Sequence, residues 1–185
     1  MSASRLHRPP PRALAADRPA RDSLASRRVL VGDDLTLVFE NRDTLRFRLQ
    51  ELARVARLTS AAHVRHELDW YGRLLPESGR LRAALWLGAA GRRPAVSERH
   101  TVAGSLVAFE DATGHAVAGH FRPDRVRDRL IGLAGWVEFA FTPHDVEAFA
   151  TPGRGWRLAV VTGGVRQTSA VLDDGVWRSL NADVT

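Results

Sequence analysis

The spacing of apolar residues changes twice along this chain, and each change predicts a different kind of structure. From Arg28 to Glu40 two short apolar runs, Val29-Leu30-Val31 and Leu35–Phe39, flank a Gly32-Asp33-Asp34 turn and read as strands. Leu45, Leu49, Leu52 and Ala56 then recur at helical spacing. They predict a helix from about Asn41 to Arg57, with Asn41 as N-cap and Asp43 at the positive end of the helix dipole. A second stripe, Val64, Leu68, Tyr71 and Leu75, predicts a helix from Ser60 to Leu75, stopped by Pro76. The short link at residues 58–59 makes the two helices an αα-hairpin.

After Pro76 the period shortens again. Leu81–Ala89 reads as a buried strand, and residues 90–101 as a polar loop or short helix. Val102–Glu110 and His115–Phe121 read as a hairpin about Asp111-Ala112-Thr113-Gly114. An Arg/Asp-rich connector, 122–129, leads to a strand at Leu133–Phe141. Thr142-Pro143-His144-Asp145 starts a short helix, with Thr as cap, Pro at the first helical position and an acid at the third. Trp156–Val161 and Val165–Leu172 form a last hairpin, and Asp174 caps a final helix to about Asp183. The predicted fold is α+β: an early antiparallel helical hairpin packed on a mostly antiparallel sheet of six or seven strands, with two short helices near the C-terminus.

Composition changes this picture at the N-terminus. Residues 1–27 hold Pro9, Pro10, Pro11 and Pro19, and only three Leu as large aliphatics, too little apolar surface to offset the entropy of ordering. They are read as a disordered or loosely attached Arg/Pro-rich tail, and 28–185 as one domain. Net charge is +6, and every basic residue is Arg. Seven Arg against Asp17 and Asp22 put +5 of it in residues 1–28, leaving +1 for the rest. A basic chain suggests nucleic acid, but here that reading attaches to residues 1–27 alone. No apolar run approaches the ~20 residues needed to cross a bilayer, and no 7–15-residue apolar segment makes a secretory signal. The chain is read as cytoplasmic, with a homodimer left open. Cysteine is absent, so no disulfide, thiolate nucleophile or cysteine-held iron–sulfur cluster can form in it.

Two short stretches carry candidate chemistry. In His63-Val64-Arg65-His66-Glu67, the three polar residues His63, His66 and Glu67 lie three and four apart, so they can meet on one helix face beside Trp70. Two His and a carboxylate suffice for Zn or non-haem Fe(II), although H-x-x-H-E is no zincin pattern. As plain structure the same residues are a polar helix flank with a His–Glu pair. In Glu40-Asn41-Arg42-Asp43-Thr44, capping accounts for Asn41 and Asp43. Left over are Glu40, a carboxylate at the end of an apolar strand, and Arg42, a cation beside a helix N-terminus that suits an anion. The candidate catalytic residues are therefore Glu40, Arg42, His66 and Glu67, and the candidate ligand-binding residues Asn41, Arg42 and Trp70. An Arg42-centred network is expected to join the two stretches. The chain has no G-x-S-x-G, no G-x-G-x-x-G and no phosphate-binding Gly loop, so hydrolase, kinase and dinucleotide readings lack support. Trp86, Trp136, Trp156 and Trp177 are read as core.

The stretch "LTLVFENRDTLRFRLQELARVARLTSAAHVRHELDWYGRLLP" followed by "GRLRAALWLG" resembles the bacterial family known as domain of unknown function 3501. That family shows a strand ending in F-E-N-R, a helix, H-E in a second helix, and a P-G-x-L strand. Glu40, Asn41, Arg42, His66 and Glu67 fall on its motif positions. The resemblance implies no activity. It does imply an association with rubrerythrin-like diiron proteins and iron–sulfur oxidoreductases, and so an accessory or binding role in redox or iron metabolism. The rival expectations are a small metal-dependent enzyme with a Glu/Arg/His/Glu pocket, and nucleic-acid contact through the tail.

Overall fold

The computed structural model describes residues 24–33, 35–87, 106–122 and 133–185. In chain order these form β1 (Arg28–Val31), β2 (Leu35–Phe39), α1 (Arg42–Val55), α2 (Ala61–Gly72), β3 (Arg80–Leu87), β4 (Leu106–Glu110), β5 (Ala116–Arg122), β6 (Leu133–Ala140), α3 (Pro143–Ala150), β7 (Arg157–Thr162), β8 (Val165–Thr168) and α4 (Asp174–Val184). The expected readings of 90–101 and of the 122–129 connector, and those of the tail before Leu24, fall largely or wholly outside the described residues.

The described strands form one antiparallel sheet in the order β1-β2-β3-β6-β5-β4-β7-β8. Among the described residues there are eight strands, where six or seven were expected. The sheet curls until its ends approach: the amide of Gly32, just after β1, donates to the Thr168 carbonyl at the end of β8, 3.4 Å away. The right-handed twist of neighbouring strands accumulates over eight of them into this near-barrel.

Alternation along the strands divides the two faces. Leu37, Phe39, Ala83, Leu85, Val107, Phe109, Val137, Phe139, Leu158 and Val160 point inward and form one core with Phe149 of α3 and Val176, Leu180 and Val184 of α4. Phe109 lies at its centre, with ring centroids 4.7 Å from Phe139 and 5.4 Å from both Phe39 and Phe149. Gly119 leaves this interior no room for a side chain, since a Cβ there would sit 2.7 Å from the Val137 and Phe139 side chains.

On the outside, the α1–α2 hairpin covers Ala84 and Trp136 with Leu45, Leu52, Tyr71 and Leu74, and Trp70 and Trp86 pack at the edge. Trp136 and Trp156 are buried, as expected, and Trp86 and Trp177 are half-buried. α1 begins as predicted: the Asn41 side chain accepts from the Thr44 amide (2.9 Å), and Thr44 Oγ1 accepts from the Asn41 amide (2.8 Å). α3 starts with the predicted Thr142–Asp145 capping box. α4 is capped one residue earlier than expected, by Asp173.

α2 corrects the sequence reading. Its buried residues are Glu67 and Tyr71, while Leu68, assigned to the apolar stripe, is 51% exposed. The helix is rotated so that its aromatic residues Trp70 and Tyr71 face the sheet, and burying those large rings outweighs leaving one Leu in water. The packed unit also starts earlier than expected. Arg27, assigned to the tail, is buried and pairs with Asp183 of α4 at 2.5 Å.

Candidate functional site

The site is built where β2 ends and α1 begins. The Glu40 amide donates to the Arg82 carbonyl of β3 (2.7 Å), which fixes the strand end, and Asn41 then caps the helix. One turn on, Thr44 Oγ1 donates to Glu40 Oε2 at 2.6 Å. A turn further, Arg48 closes an ion pair on Glu40 Oε1. Residues 40, 44 and 48 recur at intervals of four, so one carboxylate receives two side chains from one helix face.

Arg48 is 95% buried within the apolar stripe of α1. Its guanidinium lies 4.9 Å from the Trp86 ring centroid and 5.2 Å from that of Trp136. The Glu40 side chain has no solvent exposure. Burial pushes its carboxyl above the usual range, opposed by the Arg48 charge and the Thr44 hydrogen bond.

The two stretches are not joined through Arg42 as expected. Arg42 is exposed, so it is not the centre of a network; Arg48 takes the place beside Glu40. The expected network failed because Arg42 occupies the solvent side of the first turn, whereas position 48 faces the sheet. His63 and His66 are exposed on α2, while Glu67 is fully buried. The trio read as a metal site is thus divided between solvent and interior, and among the described residues no group of three His, Asp or Glu is placed to hold a metal ion. Trp70 is half-buried at the edge of the hairpin core, and Asn41 is committed to capping.

Arg48 is the residue that sequence reasoning missed. Its signal was available: an Arg between Leu45 and Leu52 in an apolar stripe, at four-residue spacing from Thr44 and Glu40.

Two further ionic clusters bracket the fold. Glu138 of β6 accepts from Arg80 (2.5 Å), Arg82 (2.7 Å) and Arg122 (2.8 Å), and Arg82 also donates to the Leu75 carbonyl at 2.9 Å and to that of Arg73. Arg82 thereby satisfies carbonyls that the end of α2 leaves open and ties the hairpin to the sheet. Burial pushes the Glu138 carboxyl up, but the hydrogen bonds and charges of Arg82 and Arg122 hold it below the usual range. At the β4–β5 turn, buried Asp111 accepts from the amides of Thr113 (2.8 Å) and His115 (2.9 Å), from the Thr113 hydroxyl and from Arg154. Nearby, His115 Nε2 lies 2.7 Å from Asp145 Oδ1.

The chain is matched over residues 21–184 by the family described as protein of unknown function (DUF3501), and it belongs to that family. A crystal structure of a novel protein of unknown function from Burkholderia pseudomallei K96243 shares the fold, with a TM-score of 0.69, 20% identity and full coverage of both chains. No curated protein matches. No described helix is long and apolar enough to cross a membrane.

Proposed function

We propose that this member of the family is an accessory binding protein for a redox or iron-metabolism partner, and that the partner carries the cofactor. The observation that supports this reading is the division of the motif residues. Glu40, Asn41 and Glu67 are taken into the packing of the hairpin, whereas Arg42 at the start of α1 and His66 on α2 stand exposed. A Glu/Arg/His/Glu pocket needs all four groups within reach of one substrate. Here the two carboxylates are sealed from water and the cation and imidazole face it. Exposed motif residues that packing does not explain fit contact with another protein better than chemistry within this chain.

The partner class follows the family's association with rubrerythrin-like diiron proteins and iron–sulfur oxidoreductases, and it agrees with a chain that has no Cys of its own. The test is titration calorimetry of the purified chain against a rubrerythrin-like diiron protein from the same organism. The expected result is saturable binding that weakens at least about tenfold in an Arg42→Glu/His66→Ala variant, a loss of ~1.4 kcal/mol. Stoichiometric Fe, Zn or Mn in tag-free protein, lost in His66→Ala, would overturn the reading in favour of a metal-dependent enzyme. The cytoplasmic location belongs to the same proposal.

A further inference from the structure

The loops between α3 and β7 and between β8 and α4 enclose a cleft lined by Pro152, Trp156, Val171, Leu172, Asp174 and Trp177. Trp156 forms part of its lining and is almost wholly buried. The Trp177 indole N–H donates to the Phe149 carbonyl at 2.8 Å, which fixes the orientation of that ring. Val171 is 52% exposed. Arg154 also lines the cleft, but its guanidinium is directed to Asp111 and Thr113. Acidic charge at the rim comes from Asp174, whose side chain is 90% exposed and paired only loosely with Arg178, at 3.8 Å.

We propose that this cleft is the binding site of a proline-rich segment of the same chain, Arg8-Pro9-Pro10-Pro11-Arg12. Three things on different parts of the molecule agree. The first is shape chemistry. Consecutive prolines favour the polyproline helix, which makes no internal hydrogen bonds and presents flat rings that stack in aromatic-lined grooves at little entropic cost. The second is charge, since arginines bracket the three prolines while the exposed carboxylate of Asp174 stands at the rim of the cleft. The third is reach. Arg27 pairs with Asp183 and donates to the Ser179 carbonyl, so the N-terminal segment meets the described fold against α4, the helix whose first turn borders the cleft. From Asp183 back to Asp174 is about 14 Å along the helix axis, and Arg12 precedes Arg27 by enough chain to span on the order of 50 Å when extended. The segment can therefore dock on its own molecule. This inference stands apart from the partner proposed above, because it involves neither Arg42 nor His66.

The experiment is tryptic cleavage of the full chain, followed by mass spectrometry. Trypsin cuts poorly before proline, so Arg5–Leu6 and Arg12–Ala13 are the informative bonds and Arg8–Pro9 is not. The ratio of their cleavage rates in a synthetic peptide of residues 1–21 gives the undocked reference. In the full chain, cleavage at Arg12–Ala13 relative to Arg5–Leu6 is expected to be at least about fivefold slower than that reference, because cleavage tracks the undocked population. Asp174→Arg, on an exposed side chain, is expected to restore the reference ratio while unfolding stays cooperative, its melting temperature lowered by no more than a few degrees through the lost carboxylate at the start of α4. Excess free peptide of residues 6–14 is expected to do the same to the unaltered chain. A ratio equal to the reference, or one insensitive to both Asp174→Arg and the competing peptide, overturns the proposal. Protection that rises with protein concentration would place the segment on a second copy, and would overturn docking within one chain.

Discussion

Arg48 and Glu40 form a buried ion pair that joins the end of β2 to the middle of α1, with the guanidinium packed against Trp86 and Trp136. The pair fixes where the helical hairpin sits, because the carboxylate is held by the strand end and the cation by two rings that project from β3 and β6. Arg is suited to this position and Lys is not. A planar guanidinium stacks between indoles while donating in its own plane, and an ammonium cannot do both.

Removing one partner strands the other charge out of water. Arg48→Ala or Glu40→Ala is therefore expected to destabilise the chain by about 3–5 kcal/mol, and Arg48→Lys by more than a surface substitution does. A Glu40→Leu/Arg48→Met double variant is expected to lose less than the sum of the Glu40→Leu and Arg48→Met single changes, since it leaves no orphan charge. Urea unfolding of the four proteins gives the coupling directly. Additive losses would show that the contact contributes little beyond packing.

Much of this fold was legible in the sequence for local reasons. The Asn41 and Thr142 caps announce their helices in the chain itself, and inward residues such as Leu37 and Phe39 alternate along their strands. What was not legible depends on distant partners. The orientation of α2 is set by how Trp70 and Tyr71 meet the sheet, so a 3.6-residue stripe through Leu68 pointed to the wrong face and placed Glu67 at the rim instead of inside. The four-residue strands β1 and β8 enter the sheet by pairing with β2 and β7, and the curl that then brings Gly32 to Thr168 depends on the twist of all the strands together and is not written in any one stretch. Arg48 was passed over because an arginine in an apolar stripe looks like an interruption until its carboxylate is known.

The exposed motif residues and the buried one should separate cleanly in stability. Arg42→Ala and His66→Ala are expected to change unfolding free energy by less than about 0.5 kcal/mol. Glu67→Ala, at a fully buried site, is expected to cost at least about 2 kcal/mol. Thermal melts of the three variants measure this. A large loss in Arg42→Ala would mean that this side chain does bind the fold.

α1 ends through Arg57, which has a positive φ of 49°. The Leu58 amide donates back to the Ala53 carbonyl at 3.0 Å, the closure in which glycine is usual at the left-handed position. An L side chain is strained there, and Arg57 is exposed, so its side chain gives little back. Arg57→Gly is expected to stabilise the chain by roughly 0.5–1 kcal/mol, as relief of strain exceeds the added freedom of the unfolded state. A raised urea midpoint at constant slope would confirm it, and a lowered midpoint would count against this account of the helix end.

Asp111 gives the fold a defined sensitivity to acid. Burial pushes its carboxyl up, but hydrogen bonds from the Thr113 hydroxyl, Arg154 and the His115 and Thr113 amides hold it down to about 2, against an ordinary value of 3.8. Its folded value is the depressed one, so the unfolded chain binds the proton more tightly. The stability this contributes is fully present above pH ~4 and is lost as pH falls from there through about 2. Asp111→Ala is therefore expected to cost on the order of 2 kcal/mol at pH 6, where several hydrogen bonds to an ionised carboxylate disappear and Arg154 loses its partner. At pH 2 to 2.5 the difference between variant and parent is expected to shrink markedly, because the parent carboxyl is then partly protonated. Urea midpoints of both proteins across pH 2 to 7 test this. A gap that stays constant down to pH 2 would show that the Asp111 cluster contributes through shape alone and not through its charge.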